Sequence, residues 1–287
     1  MILSIPSPPQ GVWYLGQIPI RAYALCILAG IVLGWWLTGR RWRARGGTQE
    51  TLDGILGWAI VAGIVGARVY HVITDAELYF GAGRLWWRMF FIWEGGLGIW
   101  GAVAGGALAA WWRCRKAGVS FASLADVVAP GLLVAQAVGR IGNWFNQELY
   151  GRPTTVPWAL EIDQAHRIAG YEQYATYHPT FLYELVWCLL GAGLLILVER
   201  RFSLGRGKLM ASYVVWYTLG RFWIEALRID TVNTLGGFRL NSYTSAIVFV
   251  AGTALLIWLL RARPGLSPEP IETPAERVIE RDDDPTT

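Results

Sequence analysis

Lysine is nearly missing from this chain of 287 residues, where two Lys stand against 23 Arg. Charged residues of all kinds make up 16%, whereas a soluble domain carries about a quarter. Cysteine and histidine are also scarce, with three of each. Cys26, Cys114 and Cys188 lie in separate segments, and an odd set without metal spacing argues against a disulfide framework. No two His are paired, which argues against a His-built metal site. There is no basic face interleaved with aromatics, so no nucleic-acid partner is expected. The hydrophobic share of 54% excludes a disordered chain and leaves a polytopic membrane protein as the leading class.

Apolar stretches long enough to span a bilayer fall near 18–39, 51–73, 95–112, 123–141, 179–198, 208–227 and 242–260. They predict an all-α membrane domain of seven transmembrane helices over 1–263, with a small extracytoplasmic cap at about 142–178. Met1 to Gln17 contains no basic segment, so the first span is not read as a cleavable signal. Basic residues alternate from loop to loop. Arg40, Arg41, Arg43, Arg45, Arg113, Arg115, Lys116, Arg200, Arg201, Arg206, Lys208, Arg261 and Arg263 share one side, 13 in all. Six lie opposite: Arg84, Arg88, Arg152, Arg167, Arg228 and Arg239. The positive-inside rule then puts the N-terminus outside and the C-terminus in the cytoplasm. Leu85-Trp86-Trp87-Arg88-Met89-Phe90-Phe91 reads as an amphipathic stretch in the outer interface. Residues 264–287, rich in acids and Pro, read as a disordered cytoplasmic tail.

Ionisable groups inside spans cost at least ~2.5–3.5 kcal/mol on insertion scales and so mark function or a structural ion pair. In the sixth span Tyr217, Arg221, Glu225 and Arg228 fall within an arc of about 80°, with Glu225 one turn from Arg221 and able to fix its guanidinium. In the fourth, Gln136, Arg140 and Asn143 share an arc of about 60°. The segment that follows, through Asn146, Glu148 and Arg152, alternates amides and aromatics where the helix should emerge. Tyr23, Arg68, His71, Asp126, His178 and Glu184 are the other polar intramembrane residues. With the orientation above, Tyr23, Arg68, Arg140, His178 and Arg221 all lie toward the outer half. Several guanidiniums there call for anions, and the abundant anion at that depth is a phospholipid head group.

One run decides the resemblance: Gly139-Arg140-Ile141-Gly142-Asn143-Trp144-Phe145-Asn146-Gln147-Glu148-Leu149-Tyr150-Gly151. It resembles the G-R-x-G-N-F-x-N-x-E-x-x-G signature of bacterial prolipoprotein diacylglyceryl transferases and departs from it only at Trp144, aromatic for aromatic. Arg21-Ala22-Tyr23, Gly66-Ala67-Arg68, Glu94-Gly95-Gly96, His178-Pro179, Tyr183-Glu184 and the stretch from Tyr217 to Arg228 carry the resemblance over most of the chain. It implies transfer of the diacylglyceryl group of phosphatidylglycerol to the lipobox cysteine thiol of prolipoprotein signal peptides, in the bacterial plasma membrane. Glycerol 1-phosphate would be released, and no metal or organic cofactor used. It makes Arg140 and Arg221 the essential arginines. Tyr23, Asn143, Asn146, Glu148, Gly151 and Tyr217 match other functional positions, and Arg68, His178 and Glu225 join the substrate-binding set. Many relatives carry a His, often proposed as the base, where this chain has Trp100. His178 is an alternative base, and an arginine field that lowers the thiol pKa is another route. An anionic-lipid transporter or binding protein is the competing function, disfavoured by the signature and by the lack of an internal repeat.

Overall fold

The computed structural model describes residues 4–81, 83–202, 204–230, 234–235, 238–262 and 271. Val12–Leu15 (β1) and Ile18–Arg21 (β2) pair antiparallel in a hairpin whose turn holds Gly16 at φ +63°. The helices follow: α1 (Ala22–Ala44), α2 (Gln49–Thr74), the one-turn α3 (Glu77–Phe80), α4 (Ile99–Lys116) and α5 (Phe121–Asn146). Then come α6 (Thr180–Phe202), α7 (Lys208–Leu227) and α8 (Leu240–Ala262). Among the described residues α1, α2, α5, α6 and α8 are the five helices long and apolar enough to cross a membrane. α4 ends in Arg113, Arg115 and Lys116, and α7 contains Lys208, Arg221 and Glu225, so these two are less apolar while still coinciding with expected spans.

Of the boundaries that differ from the sequence reading, three bear on the motifs. The first span begins at 22 rather than 18, because 18–21 is committed to the hairpin. The third begins at Ile99, because Gly95 and Gly96 adopt φ of +92° and +73° and break the run. The fourth continues to Asn146, so the polar motif rides the end of a helix instead of following it. The expected tail from 264 onward lies outside the described residues, apart from Ile271.

The chain packs as two compact units. One combines the residues up to Arg41 with those from Ala125 through α8, and the other runs from Trp42 to Leu124. In the second unit α2 and α4 pack closely: a Cβ on either Gly66 or Gly101 would collide with the other's carbonyl oxygen. Small residues let the backbones approach where lipid offers no hydrophobic drive.

In the first unit α6 and α7 are pinned by Trp187 and Trp216. The two indoles stack with centroids 4.3 Å apart, and each N–H donates to the other residue's carbonyl at 3.0 Å. Buried Asp126 on α5 accepts from the backbone N–H groups of Gly207 and Met210 at 2.8 and 2.9 Å. It thereby caps the start of α7, and the cost of burying it is met by satisfying orphan helix donors. Between α5 and α6 a small module carries the strand pair Leu160–Glu161 (β3) with Thr176–Tyr177 (β4), over a core of Tyr150, Leu160, Ile162 and Tyr177. Thr234–Leu235 (β5) and Phe238–Arg239 (β6) form a third antiparallel pair before α8.

Candidate active site

The last turns of α5 present Arg140 and Asn143 on one face, as their spacing requires. Arg140 Nη1 donates to Asn143 Oδ1 at 3.2 Å. Asn143 Nδ2 and Asn146 Nδ2 both donate to Glu148 Oε1, at 2.8 and 3.1 Å. Glu148 can fold back over the helix end because the chain reverses through Gln147 at φ +51° and Leu149 at φ +59°. Left-handed backbone is uncommon for such residues and persists where surroundings over-determine it. Here the Gln147 amide supplies the hold. Its Nε2 donates to Asp163 Oδ2 at 2.6 Å, and its Oε1 accepts from the Asp163 N–H at 2.8 Å.

α6 contributes Glu184, whose carboxylate bridges two arginines from different helices. Oε1 lies 2.7 Å from Arg140 Nη2, and Oε2 lies 3.1 Å from Arg221 Nη1 on α7. Arg221 Nη2 also donates to Glu225 Oε2 at 2.7 Å, as the i,i+4 spacing predicts. Glu225 is fully buried. It accepts further hydrogen bonds from Arg239 Nε at 2.8 Å, Asn241 Nδ2 at 3.1 Å and Arg228 Nη1 at 3.4 Å. Arg228 and Arg239 share Asp230 as well. Burial alone would raise the Asp230 carboxyl, but the hydrogen bonds and charges of Arg228 and Arg239 outweigh it and hold the group below the usual carboxylate range.

Among the described residues, then, the guanidiniums of Arg140, Arg221, Arg228 and Arg239 pair with the carboxylates of Glu184, Glu225 and Asp230, while Glu148 is linked to Arg140 through Asn143. The sequence reading asked for an external anion beside the arginines; the structure adds carboxylate partners from the chain itself, Glu184, Glu225 and Asp230. In the sequence Glu184 is one intramembrane polar residue and part of the family resemblance, Arg239 counts as a loop charge, and Asp230 carries no signal of its own. The signal available for Glu184 was a single acid in the apolar fifth span.

Other expected residues gather nearby. The Tyr23 ring lies against Gly142, where an added Cβ would come within 2.6 Å of it. Tyr217 stacks on Tyr213 at 5.9 Å and feels the charges of Glu184, Arg140 and Arg221. Gln136 Nε2 donates to the Tyr213 hydroxyl at 2.9 Å. Gly151 threads between two chain segments: a Cβ there would sit 2.8 Å from His178 Cβ and 3.2 Å from the Leu227 carbonyl oxygen. Its N–H donates to the His178 carbonyl at 2.9 Å, so glycine is what ties the motif to the entry of α6.

His178 Nδ1 meets the Tyr183 hydroxyl at 3.0 Å, and that oxygen also accepts from Trp158 Nε1 at 3.0 Å. Burial lowers the imidazole pKa, so the ring is neutral at physiological pH. The Tyr183 hydroxyl either donates to Nδ1 or accepts from an Nδ1–H, according to the imidazole tautomer. His178 is thus engaged as a structural partner. A small pocket remains, lined by Arg140, Asn143, Thr180, Phe181, Glu184 and Arg228.

Arg68 belongs to the other unit and is engaged there. It is buried, and its guanidinium donates to the carbonyls of Met89, Gly95, Gly96 and Arg88 at 2.6–3.0 Å. It therefore shapes the aromatic segment containing the two short 3-10 helices Trp86–Phe90 and Ile92–Glu94. Beside it lies a cavity of about 240 Å³ bordered by His71, Tyr79, Arg84 and Arg88. Arg88 is paired with Glu94 at 2.9 Å and His71 with Asp75 at 2.9 Å. Trp100, in the first turn of α4, is half exposed.

A family profile described as prolipoprotein diacylglyceryl transferase matches residues 10–258. The chain belongs to that family. Its similarity to individual members is high. A protein of Cutibacterium acnes named phosphatidylglycerol–prolipoprotein diacylglyceryl transferase is 56% identical, over 96% of this chain and 93% of its own length. One of Streptomyces coelicolor, with the same name and the suffix 2, is 52% identical over 91% of this chain and 83% of its own. One of Mycobacteroides abscessus is 50% identical over 90% and 79%. Together with the apolar helices, family membership makes this a multi-pass membrane protein.

Proposed function

We propose that the chain transfers the diacylglyceryl group of phosphatidylglycerol to the lipobox cysteine thiol of a prolipoprotein signal peptide. The observation that carries this reading is the convergence of Arg140 and Arg221, from different helices, on one point held by Glu184. Two forked donors suit a phosphate better than two ammonium groups would. Sulfur attacks the glyceryl carbon that bears the phosphate ester. The S–C bond forms, the C–O bond breaks, and the electron pair stays on the departing glycerol phosphate. Arg140 and Arg221 stabilise that developing charge. Asn143, Asn146 and Glu148 hold Arg140, Glu225 holds Arg221, and Tyr23, Gly151 and Tyr217 shape the walls. Arg68 orders the aromatic segment instead of touching the lipid phosphate. With Trp100 where relatives carry His, and His178 tied to Tyr183, thiol ionisation rests on the arginine field. A thiol near pKa ~8.5 is already a few per cent ionised at neutral pH, and adjacent cations increase that share.

The test is to incubate purified protein with phosphatidylglycerol and a lipobox peptide. The cysteine should gain the mass of the diacylglyceryl group. Lipid binding with no mass gain would instead indicate a transporter or lipid-binding protein.

The same reading gives seven spans in the bacterial plasma membrane, with the N-terminus outside. The module between α5 and α6 is then an external cap, and residues 264–287 form a cytoplasmic tail. Support comes from the 13-to-6 asymmetry of basic residues. In a background without the native Cys, cysteines placed in the exposed part of 152–174 should react with an impermeant thiol reagent from outside, and one at Arg201 should not. The opposite pattern would reverse the orientation.

A further inference from the structure

Glu184 sits where a phosphate would. Its two oxygens hold two guanidiniums that come from α5 and α7, and its side chain is 4% exposed. The two contacts differ in quality. Oε2 accepts a hydrogen bond from Arg221 Nη1. Glu184 lines the small pocket, and its Oε1 is buried yet, among the described residues, accepts no hydrogen bond. Its approach to Arg140 Nη2 has the distance but not the direction of one. Arg140 keeps a second partner in Asn143, and Arg221 keeps one in Glu225. Either arginine can therefore release Glu184 without losing all of its support. Each of the four guanidiniums already has a carboxylate partner among the described residues, in Glu184, Glu225 or Asp230. An entering phosphate must compete with a carboxylate already in place.

From this geometry we infer that Glu184 is a positioning residue that stands in for the donor phosphate: it spaces Arg140 and Arg221 in the empty site and yields them when the anionic lipid arrives. The inference rests on the proposed transfer reaction and adds a residue and a role to it. A carboxylate and a phosphate both offer paired oxygens that two guanidiniums can share. The exchange keeps the arginines preorganised, so they need not be gathered when charge develops. It also keeps two partly buried cations from lacking a counter-ion between turnovers.

The experiment compares wild type, Glu184→Gln and Glu184→Asp as full-length protein in lipid nanodiscs. A short-chain phosphatidylglycerol is the probe, and the matching phosphatidylcholine is the control. Glu184→Gln keeps the shape and removes the competing charge. Phosphatidylglycerol should bind it about tenfold more tightly, on the scale of one charge-assisted hydrogen bond no longer contested. Transfer at saturating lipid should fall ~10²-fold, because the arginines lose their spacing. The lipid should also raise the unfolding temperature of Glu184→Gln more than that of wild type. Glu184→Asp keeps the charge but cannot reach both arginines, so its transfer should fall without tighter binding. Equal or weaker lipid binding and equal or smaller thermal gain in Glu184→Gln would overturn the inference and leave Glu184 a purely structural ion-pair partner. Wild-type transfer to the peptide is read in parallel. Its absence would refute the proposed function, whereas the binding and thermal comparisons test Glu184 without any turnover.

Discussion

Arg140→Ala and Arg221→Ala are each expected to lower the transfer rate by ~10²–10³-fold, the scale of removing one donor aimed at a developing anion. The two arginines reach the same carboxylate from different helices, Arg140 at 2.7 Å and Arg221 at 3.1 Å. A leaving phosphate bound at that point would touch both. The double variant should fall by less than the product of the single losses, since groups that act as a unit are not additive. Lys at either position should recover only part of the rate, because an ammonium ion lacks the fork that lets Arg140 hold Asn143 and Glu184 together. Single-turnover transfer to a lipobox peptide in detergent measures this, with unfolding temperature as the control for folding. Near-normal rates in both Ala variants would remove these residues from the reaction.

The second large effect is on stability. Glu225 is fully buried and accepts from Arg221, Arg239, Asn241 and Arg228. Removing one member of such a cluster leaves buried charge uncompensated, at a cost of about 3–5 kcal/mol. Glu225→Ala should therefore unfold at markedly lower temperature or fail to accumulate in the membrane. Glu225→Gln keeps acceptor capacity and should lose less. Asp230 cannot substitute for Glu225, because Arg228 and Arg239 already occupy it at 2.8–3.0 Å. Thermal unfolding of the purified variants decides the matter. A Glu225→Ala protein as stable as wild type would mean that its four partners are satisfied without it.

Much of this molecule is written locally. Apolar runs interrupted by arginine clusters place the long helices, since each run is as long as a bilayer is thick and a helix satisfies its own backbone there. Helical periodicity puts Arg221 one turn from Glu225 and Arg140 beside Asn143, and both pairs are hydrogen-bonded in the structure. The signature from Gly139 to Gly151 points to the family before any fold is known. Other features depend on which helix faces which, and periodicity within one segment carries no information about that. Glu184 on α6 meets Arg140 on α5 and Arg221 on α7 because three helices pack together there, and the reciprocal Trp187–Trp216 stack ties α6 to α7. Arg68 is identical in type to Arg140, yet its neighbours are backbone carbonyls of a distant loop, so it orders that loop instead of joining the cluster of carboxylates. The turn through Gln147 and Leu149 runs against the preference of its own residues and holds because Asp163 anchors it from the strand module. In each case the chain chose the side chain, and packing between remote segments chose its partner, because a buried charge takes whichever counter-charge or carbonyl the folded neighbours bring within reach.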